Sequence, residues 1–225
     1  MINLKINGLP VTVDEGTTLL EAAKFFGFPI PTLCHMEGLS PYGACRLCVV
    51  EIGEGLKAKL VSSCTYPAQE GLNVRTSSSR VVRARKMILE LLLASCPQSK
   101  IIQDLASAHN VRQQRFRQEY EMCILCGLCV RMCKEQMMAN AIGFQGRGER
   151  RSIGTPFDIK SEKCRQCGGC IYVCPACQLR CTYTQPENAI CAGCANLSPP
   201  CLAKEKFDDM MCYMDPCVAC EILKI

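Results

Sequence analysis

Two runs of cysteine with identical spacing constrain this chain more than any other feature of its sequence. In each run the cysteines are separated by two, two and three residues; the first run is Cys123, Cys126, Cys129 and Cys133, and the second is Cys164, Cys167, Cys170 and Cys174, followed by Pro175. This spacing gathers three thiolates around one [4Fe-4S] cubane, while the fourth cysteine of each run reaches the cubane of the other run. The sequence therefore predicts two quartets of ligands: Cys123, Cys126, Cys129 and Cys174 for cluster A, and Cys164, Cys167, Cys170 and Cys133 for cluster B.

The cysteine content also bears on the compartment. The chain has 21 cysteines in 225 residues, a density otherwise found in small secreted disulfide scaffolds. Its first residues, Met-Ile-Asn-Leu-Lys-Ile-Asn-Gly, show none of the features of a secretory signal. In a reducing cytosol, cysteines separated by two residues are far more often metal ligands than disulfides. We therefore expect a cytoplasmic protein whose cysteines bind metal.

Charge and hydropathy argue against two classes of partner. The longest apolar run, from Met87 to Ala94, is interrupted by Glu90 and falls short of membrane-spanning length. The formal net charge is +5, and the basic residues are scattered except in the segment 147–151, which is more typical of a solvated loop than of a nucleic-acid site. We expect no membrane partner and no nucleic-acid partner.

A separate set of four cysteines lies near the start of the chain. Cys34, Cys45, Cys48 and Cys64 are separated by ten, two and fifteen residues. A [2Fe-2S] rhomb needs two thiolates on each iron, and the two-residue gap lets Cys45 and Cys48 converge while a loop and a strand end bring in the others. Residues 43–44 are small, so backbone N–H groups can approach the sulfurs. A four-cysteine zinc site is the alternative, although zinc modules usually contain two such two-residue pairs.

Strand and helix signals surround these four cysteines. Residues 2–6 and 11–13 alternate apolar and polar side chains on either side of Asn7-Gly8, which predicts a β-hairpin. A capping box at residues 18–21, followed by apolar residues at helical spacing, predicts a short helix. The apolar run Val49–Ile52 predicts another strand.

The same residues carry a resemblance to a known domain. Residues 1–76 resemble the β-grasp [2Fe-2S] ferredoxin domain that opens the large iron–sulfur subunit of the NADH module of respiratory complex I. Similar domains open the matching subunits of NAD-reducing and electron-bifurcating hydrogenases and of NAD-linked formate dehydrogenases. The residues that match are Ile30-Pro31-Thr32-Leu33-Cys34, Gly43-Ala44-Cys45-Arg46-Leu47-Cys48-Val49-Val50-Glu51 and Ser62-Ser63-Cys64-Thr65.

The resemblance and the grouping of the cysteines together predict an α+β chain made of four parts. The parts are an N-terminal β-grasp [2Fe-2S] ferredoxin domain (1–76), a helical connector (77–118), a bacterial-type double [4Fe-4S] ferredoxin domain (119–176) and a cysteine-rich irregular tail (177–225). Within the third part, residues 141–144 and 157–159 are predicted to form two short strands around a Gly-Arg-Gly loop.

The connector departs from this family. Ser79 is placed to cap a helix that ends near Cys96, and a second helix is predicted from about Ser99 to Ala108. In the family this stretch carries one histidine and three cysteines that hold a further [4Fe-4S] cluster, of which only Cys96 remains here. We expect that cluster to be absent, the segment to be a helical spacer and Cys96 to be a buried apolar side chain.

The tail carries eight more cysteines that fall outside the family pattern. Eight thiolates suffice for two four-thiolate sites, and we expect one or two further centres, with iron–sulfur favoured over zinc because the rest of the chain already binds clusters. Disulfides or scattered free thiols are the alternative. The spacing is compatible with more than one division into sites. The candidates are Cys177, Cys181, Cys191, Cys194, Cys201, Cys212, Cys217 and Cys220.

These observations predict electron transfer without catalysis. Clusters held wholly by cysteine have no open coordination position for a substrate. The sequence contains no Gly-x-Gly-x-x-Gly fingerprint and no Walker phosphate loop, so FMN and NAD are expected on partner subunits only. The resemblance implies three partners: a flavin- and NAD-binding subunit, a small [2Fe-2S] thioredoxin-like subunit and a terminal catalytic subunit.

The sequence is compatible with several functions. The first is the relay subunit of a cytoplasmic NAD-linked hydrogenase, with ferredoxin as a further partner if the enzyme bifurcates electrons. The second is the same role in an NAD-linked formate or aldehyde dehydrogenase. The third is a freestanding polyferredoxin. A catalytic cluster in the tail would instead make the isolated chain an enzyme.

Overall fold

The computed structural model describes residues 1–111, 115–118, 123–159 and 161–176. The predicted tail, with its eight cysteines, lies outside the described residues. Helices and strands are mixed in the described part, as predicted for an α+β chain. None of the helices in that part is both long and apolar enough to cross a membrane.

A β-hairpin opens the chain, as the alternating pattern predicts. Strand β1 (Ile2–Ile6) pairs antiparallel with β2 (Leu9–Val13). Asn7 and Gly8 form the turn between them, with φ angles of 50° and 86°. A two-residue type I′ turn needs left-handed backbone at both of its central residues, which is why Asn-Gly is favoured there.

Three later strands complete a five-stranded sheet: β3 (Val49–Ile52), β4 (Lys59–Ser62) and β5 (Asn73–Arg75). The strand order is β2-β1-β5-β3-β4; β1 and β5 are parallel, and all other neighbours are antiparallel. Val49 at the start of β3 pairs with Ser62 at the end of β4. This register places the residues just before β3 beside those just after β4.

Helix α1 (Leu19–Phe25) begins with the predicted capping box. The backbone N–H of Glu21 donates to Oγ1 of Thr18 at 3.3 Å, and the backbone N–H of Thr18 donates to the Glu21 carboxylate at 2.8 Å. The helix buries its apolar face against the sheet. The buried residues of this core are Leu4, Ile6, Val11, Val13, Leu19, Ala22, Ala23, Val50, Ile52, Ala68 and Val74.

Helix α2 (Ser79–Ser95) begins one residue earlier than predicted. Ser78 is its N-cap, because its backbone is extended and its Oγ accepts a hydrogen bond from the N–H of Val81 at 3.3 Å. Ser79, the predicted cap, is the first helical residue. Two consecutive serines offer the same side chain to the helix start, and only the backbone conformation decides which one caps it.

Helix α3 (Lys100–Ala108) begins after Ser99, as predicted. The backbone N–H of Ile102 donates to Oγ of Ser99 at 3.4 Å. Cys96, between the two helices, is 3% exposed, which confirms its predicted burial. It belongs to a second core that extends from the connector into both cysteine-rich regions. The buried residues of this shared core are Leu33, Cys34, Leu39, Cys45, Leu47, Leu89, Cys96, Ile102, Ala106, Cys126, Leu128 and Val173.

Short elements form the second cysteine-rich region, which is the part of the chain that contains the two cysteine runs. Helix α4 (Leu128–Arg131) continues into a π-helical turn (Met132–Gln136). Strand β6 (Gly143–Gln145) pairs antiparallel with β7 (Ser152–Gly154), and helix α5 (Gly169–Tyr172) follows.

The strand predicted at residues 157–159 is wrong. Pro156–Asp158 forms a 3-10 turn in which Phe157 and Asp158 have positive φ angles of 58° and 56°. A backbone in that conformation cannot continue a strand ladder. Phe157 is 92% exposed, so its apolar side chain is no sign of a buried strand. The partner of β6 is β7 instead, and β6 begins at Gly143 rather than at residue 141.

Candidate metal centres

Four cysteines meet at one end of the five-stranded sheet. Cys48 and Cys64 adjoin β3 and β4, and Cys34 and Cys45 lie in the long loop between α1 and β3. All four are buried, and they lie close enough for their charges to act on one another. The structure thus brings together the set that the spacing singles out.

Within this set the thiols form two pairs. The Sγ atoms of Cys48 and Cys64 are 3.3 Å apart, and the backbone N–H of Cys45 donates to Sγ of Cys34 at 3.4 Å. The two-residue gap predicts that Cys45 and Cys48 converge, but each of them faces a cysteine more distant in sequence. Arg46, which lies between them, has a left-handed backbone with a φ of 59°. That turn directs the two thiols to different partners.

Each pair contains one acidic thiol. A hydrogen bond with the Cys45 thiol lowers the pKa of Cys34 to about 6, and a hydrogen bond with the Cys64 thiol lowers the pKa of Cys48 to about 5. The same hydrogen bonds, together with burial, raise the pKa of Cys45 and of Cys64, because the shared proton stays on that side. Since the thiolate is the form that binds soft metals, each pair is prepared to act as ligand.

The surroundings of these thiols suit an anionic group. Backbone N–H groups of residues 44–45 donate to the sulfur of Cys34, and the buried hydroxyl of Ser62 lies beside the Cys48 thiol. Gly43 has a φ of +70°, and a β carbon there would lie 3.2 Å from Cγ2 of Thr65. Four buried thiols, inward N–H donors and a neighbouring hydroxyl fit an iron–sulfur cluster.

The two cysteine runs of the second region share one backbone geometry. Leu125 and Gln166, just before the second cysteine of each run, have φ angles of 51° and 52°. Gly127 and Gly168, just after that cysteine, have φ angles of 70° and 69°. Residues with a β carbon rarely adopt positive φ, so its repetition marks a constrained loop. The runs therefore form equivalent loops, each leading into a short helix.

The fourth cysteine of each run lies beside the other run. Burial raises the pKa of Cys126 to about 12, and Cys174 is the thiol that adds most to this rise. Burial likewise raises the pKa of Cys170 to about 12, with Cys133 among the thiols that add to it. Because charges act strongly only at short range, Cys174 lies with the first run and Cys133 with the second. Crowded, buried thiols release their protons readily when a metal balances the charge.

A buried arginine joins the two cysteine-rich regions. Arg131, at the end of α4, is 8% exposed. Its Nη2 donates to the carbonyl oxygen of Cys34 at 2.6 Å and to that of Cys126 at 3.4 Å, and its Nη1 donates to the carbonyl oxygen of Ser40. We call this contact between residues 34–42 and the second region the Arg131 seam. One guanidinium thus links the backbones of cysteines from two different sets.

Other contacts extend the Arg131 seam. The Glu135 carboxylate accepts hydrogen bonds from the backbone N–H of Ser40 at 2.7 Å and from its hydroxyl at 2.5 Å. The rings of Tyr42 and Phe144 are stacked with their centroids 5.8 Å apart. Arg151 donates to the Tyr42 hydroxyl at 3.0 Å. The seam therefore has charged, polar and aromatic parts, all within one short loop of the first region.

A cleft of about 1140 Å³ opens beside the first set of cysteines. Cys64 and Arg85 lie in its wall, together with the apolar side chains of Phe28 and Ile30. The cleft therefore opens beside the sheet end at which the four thiols meet.

Sequence reasoning missed Arg131, Ser40, Glu135 and Tyr42. Their roles arise from contacts between segments far apart along the chain, and the cysteine spacing carries no signal for such contacts. Within the described ranges, no three His, Cys, Asp or Glu side chains are grouped as a single metal ion requires. The thiolates of an iron–sulfur cluster stand farther apart, because iron and sulfide lie between them.

Two domain models match the chain. Residues 1–79 match a 2Fe-2S iron–sulfur cluster binding domain, and residues 122–178 match a 4Fe-4S dicluster domain. These matches confirm that the chain has one [2Fe-2S] domain, at its start, and one [4Fe-4S] dicluster domain.

Curated relatives match over most of this chain. The NADPH-Fe(3+) oxidoreductase subunit alpha of Geobacter sulfurreducens is 34% identical over 200 residues, which cover 78% of this chain and 23% of the relative. A subunit of an NADH-quinone oxidoreductase of Rhizobium meliloti is 34% identical over 202 residues, with the same two shares. The NADP-reducing hydrogenase subunit HndD of Solidesulfovibrio fructosivorans is 31% identical over 207 residues, which cover 78% of this chain and 35% of the relative. This chain thus spans about a quarter to a third of their length.

One solved structure matches most of this chain. A chain of an NAD+-reducing [NiFe]-hydrogenase, crystallised in the H2-reduced state, superposes with a TM-score of 0.60 and 31% sequence identity. The match covers 68% of this chain and 74% of that one.

The Arg131 seam can be tested at Gly127. Gly127 has a φ of +70°, and a β carbon there would lie 2.9 Å from the Phe144 ring and 3.3 Å from the Tyr42 ring. Gly71 has a φ of +71°, but nothing lies within 4 Å of its would-be β carbon. Gly127→Ala adds an overpacking cost of about 1–3 kcal/mol to the backbone strain that both alanine variants share. We expect Gly127→Ala to speed hydrogen–deuterium exchange of the seam amides, Ser40 included, by about tenfold or more.

Gly71→Ala is the matched control for backbone strain and should leave the seam amides unchanged. Equal exchange at Ser40 in the two variants would show that the rings do not pack against Gly127 in solution.

Proposed function

We propose that this chain, which belongs to the family of iron–sulfur electron-transfer subunits of NAD(P)-linked oxidoreductases and hydrogenases, relays single electrons between a flavin- and NAD-binding subunit and a terminal catalytic subunit. The main structural support for this role is the Arg131 seam. It brings the backbone of Cys34, in the [2Fe-2S] domain, and the backbone of Cys126, in the dicluster domain, to the same guanidinium. Two redox sites held this close serve a relay rather than two independent tasks.

We assign the ligands by the sets in which the thiols lie. When bound, clusters of these types supply one-electron transfer, and full ligation by cysteine leaves no open position for a substrate. The two close pairs suggest that Cys34 and Cys45 hold one iron of the [2Fe-2S] cluster and that Cys48 and Cys64 hold the other. The influence of Cys174 on Cys126 and of Cys133 on Cys170 supports the crossed assignment of the two quartets. Cluster A then has Cys123, Cys126, Cys129 and Cys174, and cluster B has Cys164, Cys167, Cys170 and Cys133.

The residues of the chain fix the distance between sites and keep water out of the gap. Arg131 holds the loops of Cys34 and Cys126 together. The shared apolar core, which includes Leu33, Leu47 and Leu128, fills the space around them. The relay order that this packing supports runs from the [2Fe-2S] site to cluster A and then to cluster B.

The relatives support a proposal for the partners and for the type of complex. One matching structure is of an NAD+-reducing [NiFe]-hydrogenase, and one relative is a subunit of an NADP-reducing hydrogenase. We therefore favour a cytoplasmic hydrogenase complex with FMN and NAD on a partner subunit and with a small [2Fe-2S] thioredoxin-like subunit, in which the cleft beside Cys64 faces the flavin side. The same role in an NAD-linked formate or aldehyde dehydrogenase remains the second candidate, because the relatives span several terminal activities.

The proposal also covers the fold of residues 1–76, the connector and the tail. The mixed five-stranded sheet with α1 packed on it supports a β-grasp fold for residues 1–76, and α2 and α3 support a helical spacer over 77–118. For residues 177–225 we propose one or two further iron–sulfur centres, on the strength of eight cysteines in a chain that already binds clusters. The full chain would then contain more iron than one [2Fe-2S] and two [4Fe-4S] clusters account for.

The ligand quartets predict which cysteine variants share a phenotype. In the anaerobically purified full chain, Cys126→Ala and Cys174→Ala should abolish the same [4Fe-4S] EPR signal, because both remove a ligand of cluster A. Cys133→Ala and Cys167→Ala should abolish the other one. Cys48→Ala should remove the [2Fe-2S] signal alone.

Cys96→Ala is the control, because Cys96 is buried but belongs to none of the three sets. It should leave all signals intact. If Cys174→Ala instead shared its lost signal with Cys167→Ala, each run would hold its own cluster and the crossed assignment would be wrong.

Purification from the native cells tests the relay role itself. A tagged chain isolated anaerobically should elute in a stoichiometric complex that contains FMN and reduces its iron–sulfur clusters on addition of NADH or NADPH. The isolated chain should be inert towards hydrogen, formate and NADH, because none of its cysteine sets leaves an open position.

The alternatives give different results. A chain that elutes alone and without flavin would support a freestanding polyferredoxin. Turnover of hydrogen or formate by the isolated chain would contradict a purely electron-carrying role.

A further inference from the structure

Arg85 is a buried arginine beside the [2Fe-2S] site. It lies on α2 and is 6% exposed. Its Nη2 donates to the carbonyl oxygen of Val49 at 2.8 Å, which places the guanidinium next to the residue that follows Cys48. Cys64 shares the wall of the same cleft. The guanidinium therefore lies near the pair of thiols that adjoins the sheet.

The charge of Arg85 has no carboxylate partner in the part of the chain that the structure describes. Each ion pair found there involves other residues, and Nε of Arg85 is buried without a hydrogen-bond acceptor. A buried cation without a counter-ion is strongly unfavourable. Burial lowers the pKa of Arg85, and the charge of Cys48 acts in the opposite direction, so that thiol lies close to the guanidinium.

A second buried donor accompanies Arg85. The hydroxyl of Ser62 is buried, and its hydrogen bond with Cys48 is one of the contacts that lower the pKa of that thiol. Ser62 ends β4, directly opposite the start of β3. Two buried donors are thus found at the same pair of thiols.

We propose that Arg85 is the internal counter-ion of the [2Fe-2S] cluster and, with Ser62 as a second donor, raises its reduction potential. The inference rests on the proposed function, because it requires the cluster at Cys34, Cys45, Cys48 and Cys64. An all-cysteine [2Fe-2S] cluster is anionic and gains a further negative charge on reduction. A fixed positive charge in a poorly solvated position stabilises the reduced form more than the oxidised form. Arg85 acts on the reduction potential of the cluster through its charge and is not a ligand of the iron.

The test is an EPR-monitored redox titration of the [2Fe-2S] signal in the anaerobically purified full chain. Arg85→Met removes the buried charge. At a fixed potential we expect the ratio of reduced to oxidised [2Fe-2S] cluster to fall by about tenfold, which for a one-electron couple is about 59 mV. Arg83→Met is the matched control, because it removes an exposed arginine from the same helix. It should change the ratio by less than about twofold, since solvent screens exposed charges.

Two further variants separate charge from packing. Arg85→Lys keeps a positive charge at the position and should retain most of the wild-type ratio. Ser62→Ala removes the second donor with little change of volume and should lower the ratio by a few-fold. If Arg85→Lys lowered the ratio as much as Arg85→Met does, or if Arg85→Met and Arg83→Met behaved alike, the counter-ion role would be wrong.

Loss of folding is distinguished by iron content. If Arg85→Met fails to retain the cluster, Arg85→Gln takes its place, because its amide can still donate to the Val49 carbonyl. Loss of the cluster from both neutral variants but not from Arg85→Lys also supports the counter-ion role. An unchanged ratio in Arg85→Gln overturns it. A wild-type chain without any [2Fe-2S] signal would instead contradict the proposed function, so the two failures are separable.

Discussion

Arg131 is inserted between two loops that each carry thiols and joins the two cysteine-rich regions. Its guanidinium donates to the carbonyl oxygens of Cys34, Ser40 and Cys126 from a position that is 8% exposed. Arginine suits this task because its planar group offers several donors in fixed directions and remains charged when buried. A buried cation of this kind needs all its acceptors, so the loops cannot separate without a substantial cost. The [2Fe-2S] domain and the dicluster domain are thereby held as neighbours.

The connector completes this arrangement from the other side. Leu89 and Cys96, at its centre, and Ile102 on α3 belong to the same core as Cys45 and Leu128. Where the resembling family holds a further cluster in this stretch, the present chain has an apolar contact that includes a single buried cysteine. In the proposed relay, the seam and the core would hold the first and second regions close enough for electrons to pass between them.

Local patterns in the sequence predicted the local parts of this structure. The Asn7-Gly8 hairpin, the capping box of α1 and the repeated cysteine runs all depend on residues within a few positions of one another. Predictions failed where backbone geometry or a contact with another segment determines the local structure. Ser78 rather than Ser79 caps α2 because of backbone geometry, and residues 157–159 form an exposed turn because β7 occupies the place beside β6. The functions of Arg131 and Arg85 could not be predicted, because both follow from contacts between distant segments.

In the proposed relay, the [2Fe-2S] site and cluster A are electronic neighbours within one chain. Stepwise anaerobic reduction of the full chain, followed by EPR, measures this coupling. The [2Fe-2S] signal is expected to broaden and to relax faster as the adjacent [4Fe-4S] cluster becomes paramagnetic, because two electron spins this close interact. A spectrum of the fully reduced chain that equals the simple sum of isolated [2Fe-2S] and [4Fe-4S] signals would contradict it.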